Sequence, residues 1–293
     1  MNRIIIDTDP GTDDAVALLA AAALGLPVDT VISTYGNVCH SKTHRNLVNL
    51  NGYLKLCENI IYGADAPLDG TGFTAEKAHG ADGVGGVVLP EFADTSRRGD
   101  FAVKLSDRIL KLGTADYISL GPLTNLAVVL KRFPECKQHI KSLTVMGGGF
   151  NVSNIPHNAE FNIGCDPTAA KYVLESGLDI TLVPLDVTHK ICLSAGEIAY
   201  ITDNADNPLA EIMRYNYKAA VAKNDGGALI HDATAVIAYA YPEVFSGKTA
   251  EVKIDKYGAL SFGGEGNIKV ILDADRQFVI NKLKNSYDML KTE

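Results

Sequence analysis

The sequence predicts an α/β protein with a mostly parallel central sheet, helices on both faces of that sheet and a small C-terminal β accessory. Short runs of β-branched residues alternate with longer helical patterns over most of the chain. This alternation is typical of parallel strands joined by crossover helices. Beyond Lys248 the pattern changes to short strands separated by turn residues, which indicates hairpins.

Each predicted strand is a short apolar run, and each predicted helix is a longer periodic pattern. The first run contains three consecutive isoleucines and precedes a helix that begins near Asp13 and Asp14, whose charges suit a helix N-terminus. Strands are predicted at residues 3–7, 30–34, 59–63, 117–120, 142–146, 180–183, 250–254, 259–262 and 269–273. Helices are predicted at residues 13–24, 42–57, 124–133, 166–176 and 275–290.

Residues 1–293 are predicted to form one domain, because no repeat and no low-complexity linker interrupts the pattern. Three segments lack periodicity and are rich in glycine and polar residues, which predicts loops: residues 65–100, 151–158 and 224–227. Long loops in α/β proteins often carry binding sites or act as lids.

The composition argues against several classes of protein. Lys and Arg number 27 and Asp and Glu 35, for a net charge of −8, which argues against a nucleic-acid partner. The first apolar run, residues 4–6, is too short for a signal peptide. No apolar stretch approaches the roughly 18 residues of a membrane span, so no membrane partner is expected. The five cysteines are widely spaced and odd in number, which predicts free thiols in the cytoplasm.

The strongest local signal is a group of four carboxylates between a strand and a helix, where residues 7–15 read DTDPGTDDA. Helix capping accounts for Asp13 or Asp14, but it does not account for Asp7 and Asp9. Open α/β sheets bind ligands at the carboxyl ends of strands. Carboxylates crowded there repel one another unless a proton or a cation intervenes. Because the donors are oxygens and no Cys or His lies nearby, Ca²⁺ or Mg²⁺ is favoured over zinc.

A phosphatase of the haloacid-dehalogenase type is an alternative explanation of the same string. In those enzymes a strand ends in D-x-D-G-[TV], and the first Asp is a nucleophile that works with Mg²⁺ on a phosphorylated substrate. Here Pro10 follows Asp9, Gly11 comes one place late, and the pair Asp13 and Asp14 is unexplained.

Several motifs in a fixed order make the chain similar to the inosine–uridine-preferring nucleoside hydrolase family. The string at residues 7–15 resembles the N-terminal signature of that family. The other motifs are TYGN at 34–37, AHG at 78–80, LGPLTN at 120–125, MGGG at 146–149, AEFN at 159–162, DVTH at 186–189 and HD at 231–232. The resemblance implies a Rossmann-like open sheet and calcium-dependent hydrolysis of ribonucleosides to ribose and free base.

The resemblance also implies a role for each matching residue. The Ca²⁺ ligands would be Asp9, Asp14, Asp232 and the backbone carbonyl of Leu120, with a water and two ribose hydroxyls completing about eight oxygens. Asp9 would also be the general base, and Asp7 resembles a supporting carboxylate. The residues that match ribose contacts are Asp13, Asn37, Met146, Asn154, Glu160 and Asn162. His231 matches the residue that faces the leaving base, and His79, in a polar loop beside glycine, is a second candidate for that pocket, while we expect a structural role for His189.

The sequence indicates only in part which nucleobase the substrate carries. The chain contains no Trp, which disfavours subtypes that sandwich a purine between indoles. Inosine and uridine are therefore the expected substrates, with a pyrimidine-restricted enzyme as the alternative. Tyr215 and Tyr217 precede His231 and receive no assigned role. A homodimer or homotetramer is expected from the resemblance, and a non-catalytic nucleoside-binding module remains an alternative.

Overall fold

Strands and helices alternate along most of the chain. The computed structural model describes residues 2–70, 72–203, 206–223 and 226–290. The strands are β1 (Arg3–Thr8), β2 (Val28–Ser33), β3 (Asn59–Tyr62), β4 (Ala115–Ser119), β5 (Ile140–Met146), β6 (Ile180–Val183), β7 (Cys192–Leu193), β8 (Ala228–Leu229), β9 (Phe245–Ala250), β10 (Val252–Ile254), β11 (Leu260–Phe262) and β12 (Ile268–Ala274). The α-helices are α1 (Thr12–Ala23), α2 (His40–Leu54), α3 (Glu76–His79), α4 (Phe101–Leu112), α5 (Thr124–Arg132), α6 (Phe161–Cys165), α7 (Pro167–Leu174), α8 (Leu185–Thr188), α9 (Ala195–Thr202), α10 (Pro208–Lys223), α11 (Asp232–Ala240) and α12 (Arg276–Met289).

Eight strands form the central sheet in the order β3-β2-β1-β4-β5-β6-β12-β9. All neighbouring pairs are parallel except β12 and β9, which are antiparallel. The strand order therefore reverses between β1 and β4. A crevice forms at such a reversal, outside the carboxyl ends of the strands, and it is the usual ligand site of open α/β sheets.

The predicted fold class is confirmed, and the C-terminal β accessory is smaller than its sequence pattern indicates. The pair β10–β11 forms a separate two-stranded ribbon. The strands β9 and β12 instead join the edge of the main sheet, because Val270 and Ile271 of β12 are buried beside β6. The predicted strand 250–254 is split, with Ala250 at the end of β9 and Val252–Ile254 forming β10.

Two hydrophobic layers cover the sheet, one on each face. In β1, Ile4 and Ile6 belong to one layer while Ile5 belongs to the other, as expected for a strand whose side chains alternate. Burial on both faces explains why the strand is a continuous apolar run. The first layer also contains most of α1, in which Ala15 to Ala21 are fully buried.

Helices that include α4, α9 and α11 lie where the sequence predicts none, and the other differences from the predicted elements are local. The predicted helix 42–57 lies at His40–Leu54 and ends where Lys55 adopts the left-handed conformation. Within the predicted loop 65–100 the short α3 forms. Asn224 and Asp225, in the predicted loop 224–227, lie outside the described residues. No helix in the described ranges is long and apolar enough to cross a membrane.

Candidate active site

A cavity of about 560 Å³ lies beyond the carboxyl ends of the central strands. Its walls come from the segments that follow β1, β2, β4, β5 and α8, and from α3, α10 and α11. The predicted site residues that line it are Asp13, Asn37, His79, Leu120, Met146, Asn154, Glu160, Asn162, His231 and Asp232. The structure therefore brings together residues that lie far apart in the chain.

The floor beneath the cavity is acidic and buried: Asp13 and Asp232 line the cavity, whereas Asp9 and Asp14 are fully buried and are not among its lining residues. Asp9 Oδ2 accepts a hydrogen bond from the backbone N–H of Asn37 at 2.7 Å. Asp13 Oδ2 accepts from the backbone N–H groups of His231 and Asp232, at 3.0 and 3.2 Å. Oδ1 of Asp9 and Oδ1 of Asp13 are buried and have no hydrogen-bond partner among the described residues. The floor thus presents two unsatisfied carboxylate oxygens.

Asp14 lies in the first turn of α1, and its side chain contacts Asn37. Its carboxylate accepts hydrogen bonds from the Thr8 hydroxyl, from the backbone N–H of Gly11 at 2.9 Å and from Asn37 Nδ2 at 2.9 Å. Asn37 therefore binds Asp9 through its backbone and Asp14 through its side chain. This contact fixes the separation of the two carboxylates.

Crowding changes the electrostatics of all four floor acids. Burial, and then the charge of Asp14, raises the pKa of Asp9 well above its ordinary value. Burial and the neighbouring carboxylates also raise the pKa of Asp13 and that of Asp232, and burial raises the pKa of Asp14. The floor cannot hold four negative charges without protons or a cation to offset the repulsion.

Asp7 lies behind this floor. Tyr117 donates its hydroxyl to Asp7 at 2.7 Å, and Asn125 Nδ2 donates at 2.9 Å. Burial raises the pKa of Asp7 to about 7. Like Asp9 and Asp14, Asp7 is not among the residues that line the cavity. Both oxygens of Asp7 already accept hydrogen bonds from Tyr117 and Asn125, so we expect it to support the floor.

Two glycines enclose Asp9, and their contacts were not apparent from the sequence. A Cβ atom at Gly36 would lie 2.0 Å from Asp9 Oδ2, and one at Gly121 would lie 2.5 Å from Asp9 Oδ1. Gly36 also has a φ angle of 153°. Only glycine fits at these positions without displacing the carboxylate. Their sequence signals are that each follows closely behind a predicted strand and lies in one of the motifs that resemble the family, at 34–37 and 120–125.

The opposite wall is built around Glu160 and Asn162. Glu160 accepts from the backbone N–H groups of Gly148 at 2.8 Å and Asn162 at 2.9 Å. Asn162 Nδ2 donates to the backbone carbonyls of Leu120 at 2.8 Å and Met146 at 3.2 Å. These bonds hold a carboxylate, an amide and the Leu120 carbonyl beside the floor. Asn154 lies further out, at an exposed position, where its Oδ1 accepts from the backbone N–H of Phe161 at 2.9 Å.

Three histidines of the cavity lining, His79, His189 and His231, lie near one another. His231 Nδ1 lies 2.7 Å from the Thr188 hydroxyl, and its ring centre is 5.5 Å from that of His189. His79 Nδ1 lies 3.2 Å from the backbone nitrogen of Thr12 and 2.9 Å from its hydroxyl. Burial, and then the nearby His189 and His79, lowers the pKa of His231 to about 3. The imidazole of His231 is therefore neutral at pH 7.

The helix α10 contributes small side chains to a wall of the cavity, namely Asn216, Ala219 and Ala220. The two tyrosines of α10 lie elsewhere. The ring of Tyr215 lies against Gly85, and Tyr217 packs on the first hydrophobic layer. This wall is therefore formed without an aromatic side chain of α10.

The donors at the floor fit a hard cation. Asp9, Asp14, Asp232 and the Leu120 carbonyl offer only oxygen atoms, which suit Ca²⁺ or Mg²⁺. Within the described part of the chain, no three His, Cys, Asp or Glu side chains are already grouped closely enough to hold a metal. The unpartnered Asp9 Oδ1 and the mutual repulsion of the acids are nevertheless what a cation would relieve.

Comparisons with known proteins agree along almost the whole chain. A family model described as inosine-uridine preferring nucleoside hydrolase matches residues 4–281. The non-specific ribonucleoside hydrolase RihC of Escherichia coli is 31% identical over 286 residues, covering 93% of each chain. An uncharacterized protein of Schizosaccharomyces pombe is 37% identical over 271 residues, covering 89% of this chain and 87% of that one. The solved structure of a purine-preferring ribonucleoside hydrolase from Gardnerella vaginalis superposes with a TM-score of 0.91 at 25% identity, covering 99% of both chains.

Proposed function

The chain belongs to the inosine-uridine preferring nucleoside hydrolase family, and from this premise we propose that it is a calcium-dependent hydrolase that cleaves ribonucleosides to ribose and free base. The observation that carries the proposal is the buried acidic floor with its unpartnered Asp9 Oδ1, placed beneath a cavity with histidines on one side. The cavity volume of about 560 Å³ lies within the usual range for small-molecule sites.

The floor would hold the cation. Its protein ligands in this proposal are Asp9, Asp14, Asp232 and the carbonyl of Leu120. When bound, Ca²⁺ would supply positive charge that coordinates the ribose hydroxyls and lowers the pKa of an adjacent water. The preference for Ca²⁺ over Mg²⁺ rests on coordination number, because these ligands, a water and two hydroxyls exceed the six that Mg²⁺ accepts.

Asp9 would take the proton of the attacking water. The Asn37 N–H holds Oδ2 at 2.7 Å and so fixes the orientation of Oδ1, which has no partner among the described residues. A fixed carboxylate within hydrogen-bond reach of the water is what general-base catalysis requires. Asp7, behind the floor, would hold the neighbouring backbone in place.

The ribose would lie between the floor and the Glu160 wall. Cleavage of a glycosidic bond builds positive charge on the sugar ring. The carboxylates of Asp13 and Glu160 stabilise that charge, while Asn37 and Asn162 orient the hydroxyls. Met146 provides an apolar surface for the ring, and Asn154 closes the outer edge. In this arrangement the base points toward the histidines.

The base would be stabilised as it departs by His231 and His79. Because the His231 imidazole is neutral at pH 7, it acts as a hydrogen-bond donor to the base. The small side chains of α10 leave room for a two-ring base, which favours the hydrolysis of both purine and pyrimidine nucleosides over a pyrimidine-restricted activity. The names of the relatives are compatible with this, since one is called non-specific and another purine-preferring.

Other expectations from the sequence stay predictions. The family membership sets aside the haloacid-dehalogenase phosphatase and the non-catalytic binding module. The match over residues 4–281 supports a single hydrolase domain in residues 1–293. No disulfide joins the five cysteines in the described part of the chain, which is compatible with the predicted cytoplasmic location. We also propose a homodimer or homotetramer.

A reducing-sugar assay tests the proposed function. Inosine, uridine, cytidine and adenosine would be incubated with the protein in calcium, in magnesium and after treatment with a chelator. We expect ribose release from inosine and uridine, its loss after chelation and its return when calcium is added. Absence of ribose from every nucleoside, or release of inorganic phosphate from phosphorylated substrates instead, would contradict the proposal.

A further inference from the structure

Each of the two histidines assigned to the departing base is bonded through Nδ1 to a threonine of a neighbouring helix. Thr12, the first residue of α1, bonds His79. Thr188, the last residue of α8, bonds His231 at 2.7 Å. Both threonines are buried, with exposed fractions of 2% for Thr12 and 0% for Thr188. The repetition suggests that these contacts serve the histidines and not only the helices.

The contact at His79 defines the position of its ring proton. A backbone N–H can only donate a hydrogen bond, and the N–H of Thr12 points at His79 Nδ1 across 3.2 Å. Nδ1 must therefore be the acceptor. A neutral imidazole that accepts at Nδ1 carries its proton on Nε2.

The contact at His231 leads to the same result by a different route. Within the described residues, the Thr188 hydroxyl makes one hydrogen bond, to His231 Nδ1. If Nδ1 donated to that hydroxyl, the hydroxyl hydrogen would be buried without an acceptor, which is unfavourable. The hydroxyl therefore donates to Nδ1, and the His231 proton lies on Nε2.

We propose that Thr12 and Thr188 are positioning residues that hold His79 and His231 as Nε2–H tautomers, so that two N–H groups donate to the departing base. This inference rests on the proposed function. The ligand chemistry is a leaving group with ring-nitrogen or carbonyl acceptors, as in purines and pyrimidines. The electron pair of the broken bond stays on the base, and neither histidine transfers its proton. The proton that the base finally carries comes from solvent.

The two threonines differ in one respect that makes the proposal testable. His79 is bonded by both the hydroxyl and the backbone N–H of Thr12, so removal of the hydroxyl leaves the backbone bond. Among the described residues, the Thr188 hydroxyl is the only group that bonds the ring of His231. Loss of the Thr188 hydroxyl should therefore let the His231 proton occupy either ring nitrogen. Loss of the Thr12 hydroxyl should leave the His79 proton on Nε2.

The experiment compares Thr188→Val, Thr188→Ser and Thr12→Val with the wild type. Thr202→Val is the matched control, because Thr202 is also buried but donates to the Ile198 carbonyl within α9, outside the cavity lining. Long-range ¹H–¹⁵N spectra of the histidines report the tautomers without any need for turnover. Initial rates with inosine, uridine and 4-nitrophenyl riboside report the effect on the leaving group.

We expect Nε2–H tautomers at both histidines in the wild type and a mixture at His231 in Thr188→Val. The kcat of Thr188→Val should fall about tenfold or more on inosine and uridine, since removal of one positioned hydrogen-bond donor to a developing negative charge costs roughly 10²–10³-fold. Its kcat on 4-nitrophenyl riboside, whose leaving group needs little stabilisation, should change less than about threefold. Thr188→Ser should restore both spectrum and rate, and Thr12→Val should have the smaller effect.

Three results would overturn the inference. One is an Nδ1–H tautomer at His79 or His231 in the wild type. Another is an equal loss of kcat on all three substrates in Thr188→Val. The last is a matching change in Thr202→Val, which would indicate a general packing effect. If the wild type releases ribose from no substrate, the proposed function fails, while the spectra still decide the tautomers.

Discussion

At the scale of single residues, Asp9 shows how closely the floor is fitted. Gly36 and Gly121 leave no space for a Cβ atom beside its carboxylate, and Asn37 holds one of its oxygens. The carboxylate is thereby fixed in a buried place where its pKa is raised. An oriented carboxylate of this kind is suited to proton transfer, but it is costly to keep charged without a cation.

The substitution Asp9→Asn tests this residue. We expect kcat on inosine to fall by about 10²-fold or more, because the amide cannot accept a proton from water. The thermal midpoint of the calcium-free protein should not fall, since the change removes a charge that is repelled by Asp14. Assays of ribose release and thermal melts measure the two effects.

Asp116→Asn is the matched control for that experiment. Asp116 is another buried aspartate, but it lies near the opposite end of β4, where Ser142 and Tyr239 donate to it. This variant should lose stability and keep its kcat. An Asp9→Asn enzyme that turns over at nearly the wild-type rate would remove Asp9 from the mechanism.

The sequence predicts the neighbouring floor residues better than the distant ones, because only residues close together in the chain form a visible motif. Asp9, Asp13 and Asp14 share one short string, so their proximity was visible. Asp232 lies 219 positions from Asp13 and was placed only by family resemblance. The contacts of Gly36 and Gly121 with Asp9 exist only once neighbouring strands pair, and no local pattern encodes them.

At the scale of elements, the helix α4 illustrates what the sequence analysis missed. Asp100 caps it by accepting from the backbone N–H groups of Ala102 and Val103, and Leu105 and Ile109 form its buried face. Both signals are present in the sequence. The sequence analysis predicts no helix here because these signals directly follow the long glycine-rich loop, whose predicted end includes Asp100. By contrast, β12 was recognised as a strand, but its place in the main sheet depends on long-range pairing with β6.

The helix α10 carries a prediction about base size. Ala219 lines the cavity, so Ala219→Phe should narrow the space for the base. We expect kcat/KM to fall about tenfold or more for inosine and less for uridine, because overpacking penalises the larger base more. Ala222→Phe is the control, since Ala222 is exposed on the same helix outside the cavity lining. An unchanged ratio of inosine to uridine activity in Ala219→Phe would contradict the assignment of this wall.

The contact between β2 and α2 is a buried network of histidines. The Ser33 hydroxyl lies 2.8 Å from His40 Nε2 and 2.9 Å from His44 Nδ1. Asp65 is 2.6 Å from His40 Nδ1, and Asp94 is 3.4 Å from His44 Nε2. Ser33, His40 and Asp65 have the bonding pattern of a serine-protease triad. Ser33 is nevertheless fully buried, which leaves its hydroxyl no access to a substrate.

This network predicts a pH dependence of stability. Burial is the main cause that lowers the pKa of His40 and of His44, and the nearby Arg98 adds to it, although Asp65 and Asp94 oppose it. The unfolded chain therefore binds more protons than the folded one below the ordinary pKa of about 6.5. The stabilisation is complete above that pH and is lost as pH falls through it, at up to about 1.4 kcal/mol per pH unit for each histidine.

Denaturant melts at pH 7.5, 6.5 and 5.5 measure this effect. The free energy of unfolding of the wild type should fall with acidification relative to that of His44→Gln, which lacks one of the two groups. His139→Gln is the control, since His139 is only half-buried, lies outside this network and bonds the Gly113 carbonyl. Identical pH slopes for the wild type and His44→Gln would show that His44 does not oppose protonation in the folded state.

At the scale of the whole molecule, the floor brings together residues that lie far apart in the sequence. Its donors come from the ends of β1 and β4 and from the start of α11, so a bound cation would connect both sides of the strand-order reversal. A ligand that binds only the folded state stabilises it by mass action. Cation binding and folding are therefore expected to be coupled, with the crowded acids giving the metal-free protein a lower stability.

The calcium content of the folded protein tests the central claim most directly. The wild type, Asp14→Ala, Asp232→Ala and the Asp116→Asn control would be equilibrated by dialysis against calcium and examined by elemental analysis. Circular dichroism would establish that each variant is folded. We expect about one calcium per chain in the wild type and the control, and little in the other two, because each loses a carboxylate ligand. Folded Asp14→Ala and Asp232→Ala proteins that keep the wild-type calcium content would contradict the account.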